Sequence, residues 1–468
     1  MENKESYNER IQTELNEIKN NTFELVVLKS KWNLISNFIQ RLGYLLYAYC
    51  ISDKFFNKGL SYMSITIPLI LLTLFVEKWA KTLFIEYSLA KPTNLLDYQA
   101  FTIDTIRTVM IFSAAITLGL FLSTNAVIEH VFGTTVGNSS LILYFKAFSI
   151  NMFTNINYRV ASVSSEYVSN RWSGIISALL FFVEYFIIIP LSTYVFNVSL
   201  NLIPVFFAII ELIGFFVIFF LSEFNIKLSS VFQKFSSQYK SVFIKCLHLL
   251  IGSTFDFCAH SLYFYLFSTC YDDEVVSHLA SICICQLLLL LCRTIVDSFE
   301  LPLLYLCKIC TIKHAYHMAY RLSRIFIIIG SIWWLFVVPI VIGLKSMLLA
   351  LWFDIDYAYE IAGLIINPIM YCSWLSTFSI SLSTLMCDFD INHTITNYLN
   401  PIVFVLYMLY FKFTDPHDER RLSFSYTIRE SVVLLLLFTI GMRVFNILWN
   451  TKDLQSDEAV LKPKGTKY

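Results

Sequence analysis

The chain alternates long apolar stretches with short polar connections, and the apolar stretches have the length of a bilayer crossing rather than of a soluble core helix. Each crossing needs about twenty mostly apolar residues. Such stretches fall near residues 33–52, 60–80, 106–127, 141–164, 173–196 and 200–222, and again near 243–269, 276–298, 325–350, 357–385, 397–413 and 430–449. The pattern predicts an all-α polytopic membrane protein with about 12 transmembrane helices in two six-helix lobes. Its expected units are an N-terminal segment 1–32, a first lobe 33–222, a linker 223–242, a second lobe 243–449 and a tail 450–468. In the first segment Ile11, Leu15 and Ile18 recur at helical spacing, which predicts an amphipathic helix on the membrane surface or on the protein's own face.

Composition supports this reading: 57% of the 468 residues are hydrophobic and 15% charged, against about 25% charged in soluble domains. Net charge is zero, so the chain carries no footprint of a nucleic-acid partner. The partners expected instead are the lipid bilayer, a small-molecule substrate and a proton or sodium ion, with the chain acting as a monomer. Charges crowd the start of the chain, from Glu2 and Lys4 to Glu17 and Lys19, so no cleavable signal is expected and the N-terminus is expected to stay cytosolic. Eleven cysteines are present, most inside apolar runs where a thiol behaves as a small hydrophobe. Cys307 and Cys310 form a CxxC without a second pair at zinc spacing, so no metal site or cofactor is expected.

Lys and Arg in short loops set orientation. With the N-terminus inside, the inward loops hold Lys78, Lys81, Lys91, Arg107, Arg159, Arg171, Arg321 and Arg324, whereas the first five outward loops hold Lys54, Lys58 and Lys345. Sequons at Asn138 and Asn197 then face outward, and both termini are cytosolic, in the plasma membrane or an intracellular one. Arg420, Arg421 and the sequon at Asn392 run against this arrangement. Shifting the second half back by about 217 residues brings Ser281 onto Ser64 and Lys308 onto Lys91, which suggests a duplication with parallel repeats.

Charges inside apolar stretches are the candidate functional groups, since an intramembrane charge costs at least about 2.5 kcal/mol on insertion scales. Glu184 and Glu211 each stand about eleven residues into a predicted span. Lys146, on the preceding span, is expected within reach of either carboxylate, in a cluster that holds a proton or a cation or else a buried ion pair that orders packing. In the second half Asp256 and His260 lie one turn apart and form a candidate proton carrier or a structural pair. Asn37, Gln40, Asn151, Asn155, Gln286, Asn367 and Tyr371 are expected to line the interior or to bond between helices. Pro68, Pro190, Pro339 and Pro368 interrupt apolar runs and predict bends.

Two stretches carry a family resemblance. The segment from Ser241 to His260 with Tyr263-Phe-Tyr-Leu-Phe267, and the connection Tyr158-Arg-Val-Ala with Asn170-Arg-Trp-Ser-Gly174, resemble the multidrug and toxic compound extrusion (MATE) transporters. That family stands within a superfamily that also contains polysaccharide and lipid-oligosaccharide flippases. The resemblance implies two lobes and ion-coupled efflux of organic cations. The family often places a carboxylate where His260 falls, which leaves Asp256 as the candidate substitute. No GxxxxGK[ST] stretch occurs, so ATP hydrolysis is not expected. The alternatives are a lipid-linked oligosaccharide flippase and a membrane-embedded acyl- or glycosyltransferase using Asn392-His393 or Asp272-Asp273-Glu274.

Overall fold

The computed structural model describes residues 4–90, 95–132, 139–166, 171–221, 239–269, 275–352, 367–385, 398–414, 425–443 and 446. Some side chains inside these segments, those of Asp256 and Asn367 among them, lie outside the description, as do Asn138, Asp272-Asp273-Glu274 and Asn392-His393.

The first helix, α1, runs from Lys4 to Ala90. A straight rod of that length would measure about 130 Å, several bilayers thick. Its two arms instead lie side by side: Asn33 and Glu77 border one cavity, Tyr44 and Thr73 border another, and the rings of Tyr47 and Tyr62 both reach Tyr144. The chain therefore reverses between Tyr47 and Tyr62, and α1 supplies two crossings.

α2 (Leu95–Phe132), α3 (Ser139–Glu166), α4 (Arg171–Phe182) and α5 (Ile203–Leu221) complete the first lobe. The second lobe comprises α6 (Tyr239–Thr269), α7 (Val275–Cys292), α8 (Thr294–Ile312), α9 (Tyr316–Leu349), α10 (Asn367–Leu385), α11 (Asn400–Thr414) and α12 (Ser425–Leu436). The eighth predicted span is thus two helices, α7 and α8, parted at Arg293. α3 packs on α2, α5 and both arms of α1, while α10 packs on α9 and α12; α1 joins the lobes by lying against α7 and α8.

Two buried apolar clusters follow from this arrangement. The larger joins the first lobe to α6 and α7 through Tyr144, Tyr158, Tyr263, Phe404 and their neighbours. The smaller gathers Leu303, Leu306, Leu322 and Phe326 of the second lobe around Ile18, Val26 and Ile85 of α1. The amphipathic N-terminal segment thereby buries Ile18 against the protein itself. The outer surface is apolar too: Leu122 is 74% exposed, Phe220 81% and Phe413 83%. A helix apolar all round suits a hydrocarbon solvent, not water. Among the described residues four helical stretches are long and apolar enough to cross a bilayer by length and composition alone: Ala100–Glu129, Ser173–Val195, Leu200–Phe220 and Tyr316–Leu349.

The span that starts as α4 loses its regular winding after Phe182. It continues as wide turns over Val183–Ile188 and Leu191–Val195, on either side of Pro190. Proline has no N–H to give to the carbonyl four residues back, so the ladder shifts register. The N–H of Ile189 bonds to the Glu184 carbonyl, five residues back. This widened stretch sits hard against α1 at Gly43, where an added Cβ would fall 2.5 Å from Tyr185 Cβ. Gly43→Ala is therefore expected to cost about 1–3 kcal/mol through overpacking. Gly119→Ala, with nothing within 4 Å of its Cβ, is expected to be neutral or slightly stabilising. Thermal unfolding of the two detergent-solubilised variants checks the difference.

Candidate functional site

α3 places Asn151, Thr154, Asn155 and Arg159 at spacings of three, one and four, which puts them along one helical face. That face meets Glu211 of α5. Asn151 Nδ2 and Thr154 Oγ1 each donate to Glu211 Oε2 at 2.7 Å, and Asn155 Nδ2 donates to Oε1. Arg159 Nε donates to Asn155 Oδ1 at 2.5 Å, and its Nη1 pairs with Glu77 from the second arm of α1. The guanidinium also lies 5.4 Å from the centre of the Phe181 ring. Glu77, Arg159, Asn155 and Glu211 thus form one continuous polar chain across three helices.

Glu184 stands beside the end of that chain, on the first wide turn after α4. It is fully buried, and neither carboxylate oxygen has a hydrogen-bond partner among the described residues. The charges that act on it are those of Glu211 and Arg159. Tyr44 lies within electrostatic reach of all three. Its hydroxyl accepts a hydrogen bond from Gln40 Nε2 at 2.9 Å, and its ring packs edge-on against Tyr185 at 5.2 Å. The described centre holds three carboxylates, Glu77, Glu184 and Glu211, for the single guanidinium of Arg159.

Two small cavities flank the Asn155–Arg159 layer. One, of about 20 Å³, is bordered by Tyr44, Thr73, Asn151, Asn155 and Tyr185. The other, of about 30 Å³, is bordered by Asn33, Glu77, Arg159, Ser162, Ser173 and Ser177. A water needs about 10–15 Å³ and polar partners, and both cavities offer them.

The structure brings Glu184, Glu211, Asn151 and Asn155 together with Gln40 nearby. Lys146 stands elsewhere: its Nζ sits over the Phe121 ring, 5.0 Å from the centroid, so a half-buried lysine stem has turned to an aromatic face. Asn37 borders the Glu77–Arg159 cavity and also stands at the seam between the lobes, where its Nδ2 donates to Ser298 Oγ at 2.9 Å. In the same seam Arg41 Nη2 pairs with Asp297 at 2.7 Å and Nη1 donates to the Leu290 carbonyl at 2.6 Å. Arg293 reaches Asp297 at 3.3 Å, so the i,i+4 pair of the sequence is one arm of a contact between lobes. Gln286 is buried on α7, with no partner for Nε2 among the described residues. His260 is buried in the second lobe, its ring 5.5 Å from that of Phe404, over which Arg429 lies at 5.2 Å. Tyr371 is 49% exposed and faces outward, as an amphipathic ring can.

Glu77, Thr154, Arg159 and Arg41 are absent from the sequence-derived set. Arg159 is counted in the sequence among the inward-loop cations, yet it is 4% exposed within α3. The signal that could have found it is the polar stripe Asn151, Thr154, Asn155, Arg159 at three- and four-residue spacing.

No protein-family profile and no curated protein sequence matches the chain. Solved structures do. One is an outward-facing multidrug resistance MATE family transporter of the MOP superfamily, at TM-score 0.73 and 13% identity over 91% of this chain and 96% of the other. A MOP superfamily transporter from Pyrococcus furiosus, described as having a binding pocket of reversed polarity that suggests a different function, matches at TM-score 0.74, 12% identity and the same coverage. A eukaryotic MATE transporter matches at TM-score 0.71 and 12% identity over 94% and 98%. The chain has their fold, twelve helices in two lobes, at an identity that carries no residue roles with it.

Asn155 donates to Glu211 and accepts from Arg159, whereas Asn151 only donates to Glu211. Each buried group left unsatisfied costs about 1–3 kcal/mol. Asn155→Leu is accordingly expected to lower the thermal unfolding midpoint more than Asn151→Leu, which a melting comparison in detergent reads directly.

Proposed function

We propose that the protein is a secondary active transporter in which the Glu184/Glu211 pair couples movement of an organic cation to that of a proton or sodium ion. The observation that carries this reading is Glu184 itself, fully buried with no hydrogen-bond partner for either oxygen among the described residues. An ionised carboxylate in that setting costs at least several kcal/mol. Glu211 beside it adds like-charge repulsion, and Arg159 is already engaged by Glu77. Such a pair is stable when it holds a proton or a cation and unstable when emptied. A transporter needs that property in a group whose occupancy is to be exchanged for substrate.

The seam supports movement of the lobes against each other. Its described polar contacts, Arg41 with Asp297 and Asn37 with Ser298, come from neighbouring turns of α1 and adjacent residues of α8, so a rocking motion that opens the interior there would break them together. The orientation follows the cation bias of the loops, with both termini on the cytosolic side.

A flippase for a lipid-linked oligosaccharide is the second reading. Arg429 and His260 meet at Phe404 in the second lobe and would suit an anionic head group.

Efflux of a cationic dye from vesicles with an imposed pH or sodium gradient tests the first reading. Glu184→Gln keeps the shape and is expected to fold, yet to lose gradient-driven efflux; normal efflux with an unchanged pH profile would show that the pair only packs. Oxidising the double variant Asn37→Cys/Ser298→Cys is expected to arrest transport, and reductant to restore it. Transport that continues with the bond formed would exclude opening at this level.

A further inference from the structure

We propose that Glu77 and the polar cavity behind it form the path by which protons travel between one face of the membrane and the Glu184/Glu211 centre. The proposal rests on the coupling role given above to those two carboxylates and adds where their proton comes from.

Exposure falls in order along the polar chain. The Glu77 side chain is 16% exposed and that of Arg159 4%; Glu211 is 2% exposed and Glu184 0%. Glu77 is thus the most exposed member of the group and Glu184 the most buried. Two cavities border the chain, one lined by Glu77 and Arg159 and the other by Asn151 and Asn155, which hold Glu211. The outer one, about 30 Å³, has room for roughly two waters. Its wall carries hydroxyls already linked in a row: Ser162 Oγ lies 2.9 Å from the hydroxyls of both Ser173 and Ser177, and Tyr158 Oη donates to Ser177 Oγ at 2.9 Å. Hydroxyls donate and accept equally well, so such a row can hand a proton in either direction.

The path suits a proton and not a sodium ion. Two waters are too few to hydrate a passing alkali cation, and the guanidinium of Arg159 stands in its way, as fixed positive charge does in cation-excluding pores. A proton needs neither. It arrives on a Glu77 oxygen and neutralises it, which loosens the pair with Arg159. It then moves through cavity water and the hydroxyl row that ends at Tyr158, a residue within electrostatic reach of Glu184 and Glu211, to that pair, and Glu77, again ionised, recovers the guanidinium. One proton has moved from the membrane face to the centre, and every residue but the receiving carboxylate regains its starting charge.

The test uses the full chain in proteoliposomes with two readouts: pH-driven dye efflux, and the infrared band of a protonated carboxyl followed during transfer to D2O. Glu184→Gln identifies the part of the band that belongs to the centre. Glu77→Gln is expected to leave that band in place, to slow its exchange and to reduce efflux by on the order of tenfold or more, the scale of a lost proton-transfer group. Glu77→Asp is expected to restore most of both. Ser162→Val, which keeps every charge and fills the cavity, is expected to slow exchange as well, and it carries the test should Glu77→Gln fail to fold. Wild-type exchange and efflux in both Glu77→Gln and Ser162→Val, with Glu184→Gln inactive, would overturn the path alone. Normal efflux in Glu184→Gln would overturn the coupling role and the path with it. Efflux driven by sodium with no carboxyl proton in the wild type would overturn the path while leaving the coupling role standing.

Discussion

The first lobe is organised by the difficulty of keeping charge inside a bundle bathed in hydrocarbon, and the group that meets this difficulty is the guanidinium of Arg159. It holds Glu77 through one nitrogen and Asn155 through another, and rests near the face of Phe181. Asn155 passes the connection on to Glu211, whose other oxygen takes Asn151 and Thr154. Removing one member of such a buried pair costs about 3–5 kcal/mol, because the other is stranded. Six side chains from three helices are thereby tied to one another. Glu184 receives the charge of this network without a hydrogen bond from the described residues.

The irregular geometry of the neighbouring span has the same focus. Pro190 breaks the ladder of the fifth crossing, the helix widens on both sides of it, and the first wide turn carries Glu184. Gly43 lets α1 close on that turn, so that the aromatic rings of Tyr44, Tyr185 and Phe207 pack together beside it. A regular helix with a larger residue at position 43 could not bring α1 this near, and a buried charge without close cover would draw in water.

The two lobes share an order of helices but not a distribution of charge. Among the described residues, carboxylates of the first lobe gather around one arginine, whereas in the second Arg429 and His260 both lie near the Phe404 ring. The lobes meet along α1, α7 and α8, where the polar contacts of Arg41 and Asn37 reach Asp297 and Ser298. Among the described residues these contacts tie α1 to α8 beside the apolar packing of the two buried clusters. The shape of the fold is common to the similar structures.

What the sequence by itself determined is the class of fold. Runs of apolar residues long enough to cross a bilayer leave helices as the local solution, since each backbone N–H and C=O must be satisfied within its own segment. The two buried carboxylates, Glu184 and Glu211, stood out in the sequence for the same reason: a charge inside an apolar run is conspicuous without knowledge of any partner. Only the tertiary structure decided what those charges meet. Lys146, close to the carboxylates in chain order, turned to Phe121, while Arg159, which reads as a loop cation, became the counter-charge together with a Glu77 from 82 residues earlier. Partner choice depends on which faces of separate helices come together, and a sequence records each helix's own periodicity but not the rotation and depth at which it packs against the next.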